Sequence, residues 1–487
     1  MSKLLNAIKN NVSTTLTENG ALTLDKSGSK VLDFYATGGA LRTRTDNEIV
    51  NKFVAAFDED ALLALKTLFY LRDIRGGQGE RKVFRVCVKW LAQNRPTAFV
   101  NNVENITKFG RWDDVFEAFD TKAEVEMVEV VKKQLATDAR QTDDNKLTLL
   151  AKWMPSINTS SKETRQLAYR FTKAFKVTPT KYRKTLSGLR SRLNVVEAKM
   201  SAGEWAVINF EHVPSKANLL YKKAFSKHEP VRYTEFIKAV QSGEKKINSS
   251  ALFPYELIRD VENGGNDATS KNALNALWNA LPDYLKDNPH NGLVMPDVSG
   301  SMTGLPMQVS ISLAIYFAQR NTGFFKDHFI EFSSNAELVR ITSSNIVDAY
   351  TQLSRANWGM STNLQAAFDK ILTAAVRNGL SQKDLPSVLY IVSDMEFNSA
   401  CGSNTLTNFE VIKRKYAAAG YKMPVICFWN VNARNDQSPV TKDQNGTTLV
   451  SGCSPSIFSQ VVSGTTVTPY DFMMQTLNKE RYSSVVV

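Results

Sequence analysis

Between residues 46 and 285 the apolar positions recur every three or four residues, the period of helices with one buried face. Ile49, Phe53 and Phe57 make one such face, 62–71 the next, and Val83, Val86, Cys87, Trp90 and Leu91 a third that stops at Asn94-Arg95-Pro96. Further helical stretches follow at 99–107, 115–119, 124–137 and 147–153, and one at 273–285 carries Trp278 and Leu281. Short polar loops separate them and no strand alternation intervenes, so this half is expected to be an all-α helical repeat array with degenerate repeats. Beyond residue 290 the pattern changes. Short, mostly apolar segments at 292–296, 329–332, 338–341, 388–392 and 424–429 read as strands, with helical patterns at 306–319, 346–353, 364–376 and 410–418 between them. That alternation predicts an α/β doubly wound, mostly parallel sheet, with an edge strand at 447–450 and an apolar helical tail at 454–482. The expected division is therefore an N-terminal arm or loop region at 1–45, a helical domain at 46–285, and an α/β domain with its tail at 290–487.

Charge changes this picture in one place. The 487-residue chain has a net charge of +12. Residues 151–250 hold 20 Lys+Arg against 7 Asp+Glu, which accounts for essentially all of the excess. Tyr169, Tyr182, Tyr221 and Tyr233 are interleaved with those cations. Cations neutralise phosphates and rings stack on unpaired bases, so the stretch points to nucleic acid; the plain alternative is a set of amphipathic helices with solvated lysines. The candidate RNA contacts are Lys173, Lys176, Lys181, Arg183, Lys184, Arg190, Arg192, Lys222 and Lys223. The four cysteines form no C-x-x-C pair and the four histidines are scattered, which argues against zinc and fits a reducing cytoplasm. No run is long and apolar enough to span a membrane, and no signal peptide is expected.

Two loops carry candidate chemistry. At 71–81 the chain reads LRDIRGGQGER. Gly76, Gly77 and Gly79, with Arg72, Arg75 and Arg81, can cradle a phosphate on backbone N–H groups. The loop lacks the Lys-Ser/Thr of a nucleotide-hydrolysing P-loop, and a tight interhelical turn is the plain alternative. At 293–302 the chain reads LVMPDVSGSM, which places Asp297, Ser299 and Ser301 at the carboxyl end of a buried strand. Open α/β sheets bind ligands there, and hard oxygen donors suit Mg²⁺, or Mn²⁺ and Ca²⁺ as neighbours. Thr362 precedes a helix in a later loop, and Asp394 ends the strand at 388–392. An Asp capping a helix, with serines serving turn amides, is the alternative.

D-x-S-x-S, then a loop Thr, then a strand-end Asp, resembles the von Willebrand factor A domain. The resemblance implies a metal-ion-dependent adhesion site on Asp297, Ser299, Ser301, Thr362 and Asp394. Asn363 and Met395 depart from the acidic residue and the glycine common there. The 71–81 motif, FGRWDDV at 109–115, AKWMPS at 151–156, YRKTLSGLR at 182–190, NVVEAKM at 194–200 and VPSKA at 213–217 resemble the DUF2828 family. That family is similar to the TROVE module of Ro ribonucleoproteins, a ring of HEAT-like repeats closed by a von Willebrand A domain. The resemblance implies binding of small structured RNAs or single-stranded RNA ends; a vacant position on the metal would accept a carboxylate of an acidic protein ligand or a phosphate oxygen of RNA. Two further readings stand beside it: a Mg²⁺-dependent protein-interaction module without RNA, and a metal-dependent hydrolase. The second is disfavoured because Val298 and Ser299 replace the D-x-D wanted after the first strand, Ser299 has no G-x-S-x-G setting or His partner, and Asp297 with Asp394 supply too few carboxylates for two metals, so no catalytic residue is expected. The tail is expected to pack on the helical half near the N-terminal segment.

Overall fold

The computed structural model describes residues 13–264, 268–286, 291–331, 336–354, 363–398, 406–461 and 467–487. The first half is helical from Asp46 onward, and its helix starts follow from local chemistry. Thr45 and Glu48 cap the helix Asp46–Glu59 reciprocally. Asp60, whose N–H ends that helix, accepts from Leu63 N–H to start Ala61–Arg72. Ser161 and Thr178 cap Lys162–Phe175 and Pro179–Arg192, the second with proline in its first turn. Two of the quoted motifs meet in this half. Arg72 Nε donates to Asp114 Oδ2 at 2.8 Å and Arg85 Nε to Oδ1 at 2.6 Å. Burial pushes Asp114 up, but the two guanidiniums outweigh it and hold the carboxyl below its ordinary value.

The second half is built on a parallel sheet. Strand β1 (Thr14–Leu16) pairs with β2 (Leu22–Leu24) in an N-terminal hairpin. Strands β3 (Gly292–Pro296), β6 (Val388–Ser393), β7 (Val425–Asn430) and β8 (Thr447–Ser451) form the sheet in the order β3-β6-β7-β8. Strands β4 (His328–Ile330) and β5 (Leu338–Arg340) pair antiparallel beside it. All described residues of the sheet but Val425 are buried, as expected of parallel strands covered on both faces. On one face Phe317 and Phe458 pack against Tyr390 and Trp429, with ring centroids 4.9–5.2 Å apart for Phe317–Tyr390, Tyr390–Phe458 and Trp429–Phe458. On the other, Phe428 meets Leu364, Phe397 and Phe409.

The N-terminal segment differs from its expectation. Residues 13–45 are no free arm: the hairpin and the helix Lys30–Gly38 pack on the α/β half. Leu24 and Ser438 exchange backbone hydrogen bonds, and Ser451 Oγ donates to Tyr35 O at 3.0 Å. Val31, Leu32, Phe34 and Tyr35 are all buried, because this helix lies between the sheet edge and the helical half. At nine residues the helix is shorter than the window over which a helical period stands out in a sequence.

The chain also closes on itself. Arg481 pairs with Asp73, and Tyr482 Oη donates to Asp73 Oδ2 at 3.2 Å. Asn102 Nδ2 donates to Val486 O at 2.6 Å and Asn105 Nδ2 to Ser484 O at 2.9 Å. The last helices of the helical half dock on the same α/β unit, with Trp278 Nε1 donating to Gln319 Oε1 at 2.7 Å and Arg320 to Trp278 O at 2.7 Å.

Candidate functional site

Strand β3 delivers Asp297 to the carboxyl end of the sheet, and β6 delivers Ser393 and Asp394 beside it. Asp297 is fully buried. Its Oδ1 accepts from Ser299 N–H at 2.9 Å and its Oδ2 from Ser393 Oγ at 2.6 Å. Burial and the neighbouring Asp394 push its carboxyl up to about 6, against the pull of the Ser393 hydrogen bond. The Ser299 and Ser301 hydroxyls lie 3.1 Å apart. Ligand oxygens at right angles on a Mg²⁺ ion, at 2.0–2.1 Å from it, stand about 3 Å apart, so the hydroxyl pair fits such an ion. A buried carboxylate with no cation partner among the described residues fits it too. Asp297, Ser299, Ser301 and Asp394 are therefore brought together. Thr362 lies outside the described residues. No group of three or more His, Cys, Asp or Glu that can hold a metal occurs among the described residues, so a cation here would depend on the hydroxyls.

Sequence reasoning missed Arg434. Its Nε donates to Asp394 Oδ2 at 3.2 Å, and its other end pairs with Glu18 of the hairpin at 2.7 Å. Asp394 thus already has a counter-ion, delivered by a loop after β7 whose sequence carries no motif. Met395 takes a left-handed backbone (φ 67°), the conformation that glycine ordinarily supplies at this position. Asn363 caps the helix Leu364–Arg377 by accepting from Ala366 N–H at 3.0 Å. Glu396 serves the hairpin and the 434–438 loop: it accepts from Glu18 N–H, Asn435 and Gln437 at 2.7–2.8 Å.

The glycine loop is a joint between the halves and not a phosphate cradle. The amides of Gly77 and Gly79 donate to Asp73 O, Gln78 to Tyr70 O and Glu80 to Leu71 O. With those N–H groups spent, no nest of donors faces solvent. Gly76 lies under Arg481, and a Cβ on Gly77 would clash with Tyr70 O. Gln78 is buried, donates to Tyr70 Oη at 2.7 Å and accepts from Ser454 N–H at 3.3 Å. Arg72 is bound to Asp114 and Arg81 to Asp113, so of the loop's three arginines Arg75 alone is exposed with no ion pair to a described residue.

The basic candidates divide in two. Lys173, Lys176, Lys181, Arg183, Lys184 and Lys223 are exposed and make no ion pair among the described residues. Five of them cluster where Lys162–Phe175 turns into Pro179–Arg192. The other three are structural. Arg190 donates to Ala151 O, Met154 O and Ser156 Oγ at 2.6–2.8 Å. Arg192 binds Asp144 at 2.8 Å, and buried Lys222 binds Asp260 at 2.7 Å. Among the described residues no helix is long and apolar enough to cross a membrane.

Comparison with known proteins places both halves. Residues 291–482 match the family model described as "Domain of unknown function (DUF7788)". The chain is 27% identical over 502 residues to "Uncharacterized protein L728" of Acanthamoeba polyphaga mimivirus, covering 95% of this chain and 87% of that protein. Its structure aligns with the Ro (RSR) protein of Deinococcus radiodurans at a TM-score of 0.33 and 11% identity, over 92% of this chain and 93% of the other. The model described as "Domain of unknown function (DUF2828)" matches residues 17–133 and 125–290, more than half of the sequence, and the chain belongs to that family.

Proposed function

We propose that this protein is an RNA-binding scaffold of the Ro-like kind its sequence resembles, with a von Willebrand A-like domain that carries a Mg²⁺-dependent adhesion site. The exposed, unpaired cluster of Lys173, Lys176, Lys181, Arg183 and Lys184 carries the reading. Solvated helix faces normally mix both signs, whereas this one presents a single sign at an elbow between two helices. Phosphates bound there release counter-ions, so log affinity falls linearly with log salt, with a slope of about −0.7 per phosphate on single strands. Binding of a single-stranded RNA is measured across a salt series. Replacing Lys181, Arg183 and Lys184 together should flatten the slope and weaken all sequences alike. An unchanged slope removes the cluster from the RNA site.

The metal site supports a second role in the same molecule, recognition of an acidic protein ligand. Asp297, Ser299 and Ser301 would hold the ion from one loop, and Asp394 would complete the charge. A bound Mg²⁺ supplies an open position for a partner carboxylate. Arg434 is paired with Asp394 at 3.2 Å, so the guanidinium and the ion would share that carboxylate. Calorimetric titration with Mg²⁺ tests this: Asp297→Ala should abolish the heat, and an identical isotherm for that variant would refute the site. We assign the protein no catalytic chemistry.

A further inference from the structure

The helical half contains a groove of about 790 Å³ between the helices Pro96–Asn101, Val103–Phe109, Glu124–Arg140 and Leu150–Trp153. That volume lies within the range of sites that enclose a small organic group. Two tryptophans line it, Trp112 and Trp153, both half-buried. Three cations, Lys108, Arg111 and Lys133, line it against one carboxylate, Glu104. The Arg111 guanidinium lies over the Trp153 ring at 4.0 Å, so the two planes form a stacked platform at the wall. Arg111 spends one nitrogen on Asp113 at 2.8 Å, while its Nε is buried and has no hydrogen-bond partner among the described residues. That N–H is closed to solvent, so what the wall offers a ligand is the flat, cationic surface of the Arg111–Trp153 pair, which favours a planar group.

The groove is joined to the basic cluster. Arg190 of Pro179–Arg192 donates to Ala151 O and Met154 O, the carbonyls flanking the Lys152-Trp153 pair. That bolts the basic helix to the groove wall. At 1.5 Å per residue, Lys184 and Lys181 lie about 9 and 14 Å along the helix axis from Arg190. At 100° per residue they stand about 120° and 180° round that helix from Arg190, so a polyanion bound on them reaches the tryptophans by wrapping round the helix. An acidic peptide would meet the same charges, but the aromatic and guanidinium planes favour nucleobases, which stack on both.

We propose that this groove binds an unpaired base of a single-stranded RNA whose phosphates run onto the Lys181–Lys184 helix face, with Trp112 and the Arg111–Trp153 platform stacking on the base. The proposal rests on the RNA-binding reading and adds a base-contacting site to it. A fluorescently labelled oligouridylate and an abasic ribose-phosphate chain of equal length are titrated with the full-length protein, followed by anisotropy. The wild type should prefer the base-containing probe by about fivefold or more, the low end of what one stacked base contributes. Trp112→Ala and Trp153→Ala should each lose most of that preference, while Trp153→Phe keeps part of it. Lys133→Glu, at an exposed position that cannot unfold the chain, should weaken both probes alike and leave the preference in place. Thermal melting by circular dichroism identifies any variant that fails to fold, and the remaining variants then carry the test. Equal binding of both probes by the wild type, or a full preference in folded Trp112→Ala, overturns the groove and leaves the basic cluster standing. Binding of neither probe by the wild type overturns the RNA reading itself, and the groove with it.

Discussion

Truncation of Tyr482 tests whether the end of the described chain holds the two halves as one unit. Tyr482 is fully buried, with its ring 6.2 Å from that of Tyr70 and 5.4 Å from that of Phe109. Its hydroxyl donates to Asp73, which also holds Arg481. Tyr482→Ala removes a large aromatic ring from a packed site, which costs about 3–5 kcal/mol. Loss of the hydroxyl's bond to a buried carboxylate adds roughly 1 kcal/mol. Arg481 still faces Asp73, so no charge is left bare. The sum, about 4–6 kcal/mol, is a large part of the 5–15 kcal/mol typical of a folded domain. Urea denaturation is followed by far-UV circular dichroism, dominated by the helical half, and by tryptophan fluorescence. Both midpoints should fall together, because the tail touches the first helices and the sheet supports the tail. Tyr482→Phe should cost only about 1 kcal/mol. The reasoning fails if Tyr482→Ala costs under about 1 kcal/mol. It also fails if the two signals separate and the helical half keeps its wild-type midpoint.

Three further outcomes follow from particular residues. Asp297 has its folded carboxyl raised to about 6, so stability is highest below the unfolded value and falls as pH climbs toward 6. In metal-free buffer the loss is about 3 kcal/mol; Asp297→Asn should abolish that slope between pH 4 and 6 in urea titrations, and an unaltered slope would contradict it. Gly452 has φ 108° and a Cβ there would strike Gln78 Oε1, so Gly452→Ala should destabilise by about 2–3 kcal/mol, read from the same titrations, whereas a neutral result would deny the joint. Arg190→Ala should lower the melting temperature, while Lys184→Ala should leave it unchanged and weaken RNA; the opposite pattern would reverse the division drawn between structural and solvent-facing cations.

Much of the architecture was determined by local sequence. Helix starts at Thr45, Asp60, Ser161 and Thr178 are written in a cap residue and the apolar period after it, and both act within one turn. Fully buried parallel strands leave continuous apolar runs, so β3, β6 and β7 were legible, with Asp297 and Asp394 at their ends. The basic bias of 151–250 was legible as a count, but which cations are free was not. Arg183 and Arg190 stand on one helix at a similar local density of charge. Only the neighbouring carbonyls of Ala151 and Met154 make Arg190 a structural bolt. The glycine loop illustrates the same limit: its composition suits a phosphate or a tight turn, and the decision came from Tyr70, Gln78 and Ser454, the last of them 376 residues from Gln78 in the chain. Arg434 and the N-terminal hairpin were silent in sequence for the same reason. Their roles are set by long-range pairing with Asp394, Glu18 and Glu396, and a side chain's local neighbours carry no record of a partner brought to it by the fold.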